Sequence, residues 1–352
     1  MSHRRPFRLL ASLAMALSLL AGSAAQAERG TAPAQTPPAA QPVAPRPVPD
    51  IADVPGMPAP PVPLLWKVTG EAGALYLLGS FHFLKPEDYP LAEEVEQVVA
   101  SVDEVVFELA PEELESPTLA MQMMQAGLRS DGSRLDDDLP PAMAARLADW
   151  GRRNLATLRT SGMEPQGLQL FEPWFASLLV TTTELARYGL EARLGLDVHL
   201  ARRARAAGLS TSGLETAMQQ IRVLDGMDLR WQVEMLGEAL DQADAGPDAI
   251  DALHATWRAG DAARLWDEMA ADMRERAPAL YQRINTDRND AWLPRLDAML
   301  RQESDILVVV GALHLLGEDG VVEKLAARGY AVERICVACP AMVPAAGISS
   351  MP

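Results

Sequence analysis

LYLLGSFHFL (residues 75–84) organises the reading of this chain, because LVVVGALHLL (residues 307–316) says nearly the same thing close to its other end. In each stretch an apolar run of strand length stops at a glycine, and a histidine follows three residues later: Gly79 with His82, and Gly311 with His314. The chain has only five histidines. Two of them in equivalent places in two similar decapeptides point to one site built from both ends of the chain. A glycine before each histidine lets the backbone leave its strand freely and lets another group approach closely.

Working outward, residues 66–69 and 75–80 flank the turn-rich Gly70-Glu71-Ala72-Gly73 and read as a hairpin or two adjacent strands. Leu91, Val95, Val98 and Val99 recur at helical spacing, and DEVVFEL (103–109) reads as a buried strand ending at Glu108. Strand, loop, helix and strand in that order imply a parallel sheet. Residues 111–207 are helical in pattern, with breaks at 131–132, 140–141, Gly162 and Pro173; the methionines of 121–124 read as core filler. A helix over 194–207 stops at Gly208, and 209–214 forms a short strand that ends at Glu215. A second helical block spans 216–301, with Trp231, Trp257 and Trp266 as packing residues. Residues 305–310 are the most hydrophobic strand, and a helix over 321–327 and a strand over 331–337 close the fold. The expected fold class is α/β, a mostly parallel sheet formed by the N- and C-terminal parts with a large helical insertion.

The ends bound the folded part. Arg4, Arg5 and Arg8 precede an apolar run over 9–20, and Ala25-Gln26-Ala27 offers a small-x-small cleavage site. That is the pattern of a secretory leader over 1–27, too short to span a bilayer. Residues 28–63 are rich in Ala, Pro and Gln, a composition that buries too little surface to order itself, and read as a linker. The domain then runs over 64–340, followed by a loose tail at 341–352. A net charge of −17 disfavours nucleic acid and anionic membranes as partners. No stable membrane anchor is expected, and the localisation is exported, periplasmic or secreted. Cys336 and Cys339, in C-V-A-C, close a strand and run into Pro340 rather than opening a helix, which suits a local disulfide or two idle thiols better than a redox motif.

Four polar residues fall at or just beyond the carboxyl ends of predicted strands: His82, Glu108, Glu215 and His314. Ligands of open α/β sheets bind at that edge. Two imidazoles and one of the two carboxylates form a common set for an open divalent-metal site, and the other carboxylate can then serve as general base or orient a ligand. Tyr281, Asn285, Arg288 and Trp292 share one stripe if 280–300 is helical, and Arg288 with Asn289 can then face the rim to stabilise an oxyanion. His199 and His254 read as surface residues and Asp197 as a helix cap. No HExxH, GxSxG, Walker loop or GxGxxG occurs.

GSFH (79–82), VVFEL (105–109), GLD (195–197), GLET (213–216), DRN (287–289) and GALH (311–314), in that order, resemble the TraB/GumN family, related to the Tiki-type metalloproteases. The resemblance covers nearly all of the folded region. It implies two pseudo-symmetric α/β halves, akin to the erythromycin esterase and ChaN-like group. It also implies a site made of His82, His314, Glu108 and Arg288, with Glu215 as the second acidic candidate. Tiki-type members are metal-dependent proteases supported by manganese or cobalt, and bacterial TraB-like members are linked to reduced peptide pheromone activity. The expected function is an exported metal-dependent hydrolase, a peptidase acting on peptides or exported proteins, with manganese, cobalt or zinc held by His82, Glu108 and His314. One alternative is a metal-independent hydrolase with His82 as general base. Another is a periplasmic protein that captures haem, metal or peptide without turnover.

Overall fold

The most apolar strand of the chain lies inside its sheet. In the computed structural model, which describes residues 58–160 and 162–339, all six residues of β5 (Ile306–Gly311) are buried. A strand reading ILVVVG has no polar face to offer water, so it must be covered on both sides. The leader, the linker up to residue 57 and the tail lie outside the described residues.

Around β5 the sheet is mixed and six-stranded, in the order β4-β3-β5-β2-β1-β6. The other strands are β1 (Leu65–Thr69), β2 (Ala74–Ser80), β3 (Glu104–Leu109), β4 (Ser210–Glu215) and β6 (Ala331–Arg334). β2 and β3 both pair parallel with β5, and β4 pairs parallel with β3. β1 pairs antiparallel with β2 and with β6. The two decapeptides are therefore neighbours, with Leu77 opposite Val308 and Ser80 opposite Gly311. β4, reading STSGLE, is only half-buried, as suits a polar edge strand.

The connections are mostly helical: α1 (Glu93–Ser101), α2 (Pro117–Gly127), α3 (Pro141–Arg153), α4 (Pro173–Arg187), α5 (Leu196–Ala207), α6 (Ala217–Asp225), α7 (Leu229–Ala245), α8 (Pro247–Arg258), α9 (Asp287–Met299) and α10 (Val321–Ala327). The helical blocks are not one insertion, because β4 returns to the sheet between them. α3, α4 and α7 enclose a core of their own, with Leu147, Trp150, Ala176, Val180, Leu236 and Leu240 buried together. A second, larger cluster of buried apolar side chains lies on the sheet.

Two further expectations change here, and a third is decided between its alternatives. Of the methionines at 121–124 only Met123 is core; Met121 and Met124 are 63% and 42% exposed. The segment 58–63 is held by the fold: Val62 N–H donates to the Arg258 carbonyl at 2.8 Å and Arg334 to that of Pro63 at 3.1 Å. The segment is tied to the end of α8 and to the Arg334 side chain, contacts that composition does not register. Cys336 and Cys339 are joined in a disulfide.

Candidate functional site

The parallel strands bring the chemistry-bearing residues to one edge. His82 follows the end of β2, Glu108 and Glu215 lie at the ends of β3 and β4, and His314 sits in a single 3-10 turn (Ala312–Leu315) after β5. Arg288 projects from the first turn of α9. His82, Glu108, Arg288 and His314 are only 4%, 3%, 4% and 6% exposed, so each charge must be answered by a neighbour. They converge on Gly311. A Cβ added there would lie 3.2 Å from Glu108 Oε1, 3.5 Å from His82 Nε2 and 3.8 Å from His314 Cδ2. Only the Glu108 oxygen would crowd that Cβ; the two histidines stand at ordinary van der Waals distance from it.

Arg288 is the hub. Its Nε and Nη2 donate to the two Glu215 oxygens at 2.8 and 2.9 Å, and Nη2 also donates to Glu108 Oε2 at 2.7 Å. Nη1 donates to His314 Nε2 at 2.8 Å and to the Ile284 carbonyl at 3.5 Å, so every guanidinium N–H has an acceptor. Burial disfavours the cation, but Glu108 and Glu215 outweigh it and raise the Arg288 pKa. Glu108 answers with Oε1, which accepts from Gly311 N–H at 2.7 Å. Burial alone would raise its pKa, yet Arg288, the two histidines and that N–H pull it down to about 2. Trp292 Nε1 donates to Glu215 Oε1 at 2.8 Å, and the indole lies under the guanidinium, 5.1 Å from its ring centre.

The two histidines differ in kind. His314 Nε2 accepts from Arg288, so its proton is on Nδ1, which donates to Asn289 Oδ1 at 2.7 Å. Asn289 Nδ2 donates in turn to the Asp319 carbonyl at 2.8 Å, which fixes the amide. Burial and then Arg288 push the His314 pKa down to about 3, so it is neutral. His82 Nδ1 instead meets Asp197 Oδ2 at 2.6 Å. Burial works against its cation, but Asp197, by charge and hydrogen bond, and Glu108 raise its pKa. With Nδ1–H donating to Asp197, the basic lone pair is on Nε2.

Two spaces adjoin this network. A void of about 10 Å³ is walled by His82, Glu108, Asp197, Phe107 and Leu114, room for about one water. A larger cavity of about 430 Å³ is lined on one side by Glu215, Arg288 and Trp292. The Arg288–Glu108 pair stands between them.

A divalent ion on His82, Glu108 and His314 does not fit this arrangement. The one lone pair of His314 accepts from Arg288, and a guanidinium already supplies positive charge between Glu108 and His314. Among the described residues no group of three or more His, Cys, Asp or Glu side chains is disposed to hold a metal ion.

All five expected site residues, His82, Glu108, Glu215, Arg288 and His314, come together. Asp197 and Gln220 were missed. Asp197 does not cap α5; it lies in the helix's first turn and turns to His82. Its signal was the GLD motif itself. Gln220, fully buried on α6, gives Nε2 to Glu108 Oε2 at 3.3 Å and has no hydrogen bond at Oε1. The stripe through Tyr281 also breaks. Gln282–Thr286 is a turn of π-helix, whose wider winding separates Tyr281 and Asn285, bonded to each other at 2.9 Å, from Arg288 and Trp292. His254 is no surface residue: it is buried and bonded to Asp88 at 2.8 Å. His199 is half-buried against Tyr89, with ring centres 4.4 Å apart.

An α/β sheet whose parallel edge gathers two GxxH histidines, two glutamates and a buried arginine defines a class rather than a reaction. Residues 64–334 match the TraB/PrgY/gumN family, and the chain belongs to it. It is 22% identical over 264 residues to the uncharacterized protein YbaP of Escherichia coli strain K12, covering 71% of this chain and 87% of that protein. The uncharacterized YbaP of Shigella flexneri matches to the same extent. No solved structure matches.

Proposed function

We propose that this chain is a hydrolase of peptide or ester bonds in which His82 is the general base. The observation that carries this is the buried His82–Asp197 pair, at 2.6 Å, beside a void of one-water size that Glu108 also walls. An imidazole whose Nδ1–H is held by a carboxylate is oriented and stabilised as it gains a proton. Water would give its proton to His82 Nε2 as its oxygen adds to the carbonyl carbon, and the same proton would pass to the leaving amine or alcohol. Arg288 supplies the fixed positive charge for the oxyanion, with Glu108 and Glu215 holding it in place. The scissile carbonyl has to lie between the two spaces, where the Arg288–Glu108 pair now stands. Substrate entry therefore displaces part of the hydrogen bonding that now fills the Arg288 guanidinium, and Glu215, which borders the cavity, is the partner placed to yield. Turnover of a peptide and ester library by the parent, lost in His82→Ala and retained after exhaustive chelation, is the expected result. Product release unaffected by His82→Ala sinks the proposal.

The convergence of His82, Glu108 and His314 on Gly311 favours a second reading, a metal-dependent peptidase using those three residues and manganese, cobalt or zinc. It requires Arg288 to leave His314 Nε2. Stoichiometric metal in the purified protein, absent from His82→Ala and His314→Ala, would establish it. The adjacent, nearly matched strands β2 and β5 support a pseudo-symmetric origin for the paired GxxH motifs. Export is part of the same proposal, supported by the leader pattern at 1–27 and by a disulfide of the kind that persists in oxidising compartments. Among the described residues no helix is long and apolar enough to cross a membrane. N-terminal sequencing of protein from a periplasmic fraction tests export.

A further inference from the structure

The larger cavity carries positive charge that the hydrolytic network does not use. Beyond Glu215, Arg288 and Trp292, its wall includes Arg222 and Arg283. Most arginines of this acidic chain are matched to carboxylates, as Arg146 is to Asp241 and Asp244. Arg222 and Arg283 have no carboxylate partner among the described residues.

Arg283 is fixed in place all the same. Nε donates to the Val223 carbonyl at 2.8 Å and Nη2 to that of Arg222 at 2.9 Å. These are carbonyls near the end of α6, and the guanidinium lies flush on Gly226, where a Cβ would come within 2.5 Å of Nη2. Capping α6 accounts for two of its N–H groups. Nη1 donates to nothing among the described residues, and neutral carbonyls leave the charge without a counter-ion. A preorganised guanidinium with free donors at a cavity wall binds a carboxylate with little ordering cost. Arg222, one helical turn before Gly226, is exposed and extends the positive rim. Two acids share the wall: Glu215, already engaged by Arg288 and Trp292, and Asp287, which is exposed and accepts from Gln282 at 3.2 Å. Leu214, Val223 and Trp292 give the cavity apolar walls, and its volume of about 430 Å³ is that of a small-molecule pocket.

We propose that this cavity is a carboxylate-binding subsite, in which Arg283 and Arg222 hold the negatively charged end of a short peptide while Arg288 faces the bond to be cut. The carboxylate is either the peptide's own C-terminus or an acidic side chain. Cleavage of the captured peptide rests on the hydrolase reading, but capture itself does not.

The test is calorimetric binding of acetyl-alanyl-alanine and its C-terminal amide to the full chain, with acetyl-alanyl-glutamate amide and its glutamine counterpart as second pair. In at least one pair the carboxylate is expected to bind about 10- to 100-fold tighter than its neutral analogue. The free acid favoured over its amide assigns the C-terminus; glutamate favoured over glutamine assigns the side chain. Arg283→Gln and Arg222→Glu should each erase most of the preference, and Arg283→Lys should keep part of it. Arg222→Glu alters an exposed residue, so it decides the question even if Arg283→Gln fails to fold. Equal affinity within both pairs, or no binding of any at millimolar concentration, overturns the subsite, as does a preference that survives both charge changes. Turnover separates the two proposals. Preferential binding without product defeats the hydrolase reading and leaves the subsite standing, whereas cleavage of charged and neutral peptides with equal kcat/KM does the reverse.

Discussion

At the scale of single residues the site is a matter of which lone pairs are occupied. His314 and His82 follow the same motif, yet Arg288 takes the Nε2 lone pair of one and Asp197 the Nδ1 proton of the other. The first is left a neutral prop for the arginine, and the second keeps the carboxylate partner on which its proposed role as base rests. Asp197→Asn leaves the shape and removes the charge that holds His82 up against burial. The rate is expected to fall about a thousandfold or more, with KM little changed. The sign on pH comes from the same balance: without Asp197, burial dominates and the His82 pKa drops, so the acidic limb of the kcat/KM profile moves to lower pH. A limb that stays put in the variant would remove His82 from the role of base. Ionised Glu108 gives a second test. Its folded pKa of about 2 lies below the ordinary 4.5, so its stabilisation is complete above about pH 4.5 and is lost as pH falls toward 2. Across that interval the melting temperature of the parent should fall more steeply than that of Glu108→Gln. Parallel curves for the two proteins would show that Glu108 is not held ionised.

Among elements, the contact that matters most for His82 is the start of α5 against the chain after β2. Leu196 N–H donates to the Phe81 carbonyl at 3.1 Å, and a Cβ on Gly195 would lie 2.2 Å from the His82 carbonyl oxygen. Only a residue without a side chain allows the helix this close, and the closeness is what brings Asp197 to His82. Gly195→Ala should therefore cost about 1–3 kcal/mol of stability and depress activity as Asp197→Asn does, read by denaturant titration and turnover. Full activity in that variant would mean the approach is not needed. The π turn over Gln282–Thr286 acts similarly on α9. An α-helical count aligns Tyr281, Asn285, Arg288 and Trp292, but the wider turn leaves the first pair behind and aims the second at Glu215.

Across the whole molecule, a second buried ionic knot ties the helical region to the sheet edge. Asp88, fully buried in the loop between β2 and α1, accepts from His254 at 2.8 Å, from Lys85 N–H at 2.7 Å and from Arg258. His254 and Arg258 both belong to α8. Asp88→Ala would leave buried His254 without its carboxylate and Arg258 with backbone carbonyls alone, so it is expected to lower stability by about 3 kcal/mol, measured by urea unfolding; a loss under about 1 kcal/mol would show the knot to be incidental. That knot also marks how far the sequence could be read. The strands and the convergence of His82, Glu108, Glu215, Arg288 and His314 were legible, because hydrophobic runs of strand length have to be buried and short motifs at their ends then land together; the mixed sheet, with β1 antiparallel to both its neighbours, was not. His254 was not, because its partner lies 166 positions away and nothing in local spacing records it. Asp197 as partner of His82, the π turn that splits the Tyr281 stripe, and Arg283 held by two carbonyls were hidden for the same reason. What this sequence determines by itself is which residues reach the edge, since burial of apolar runs is a local property of composition and period. Which neighbour holds each of them there, Asp197 for His82 and Arg288 for His314, only the tertiary structure decided, because protonation and charge depend on the group within hydrogen-bonding distance, and that group comes from another part of the chain.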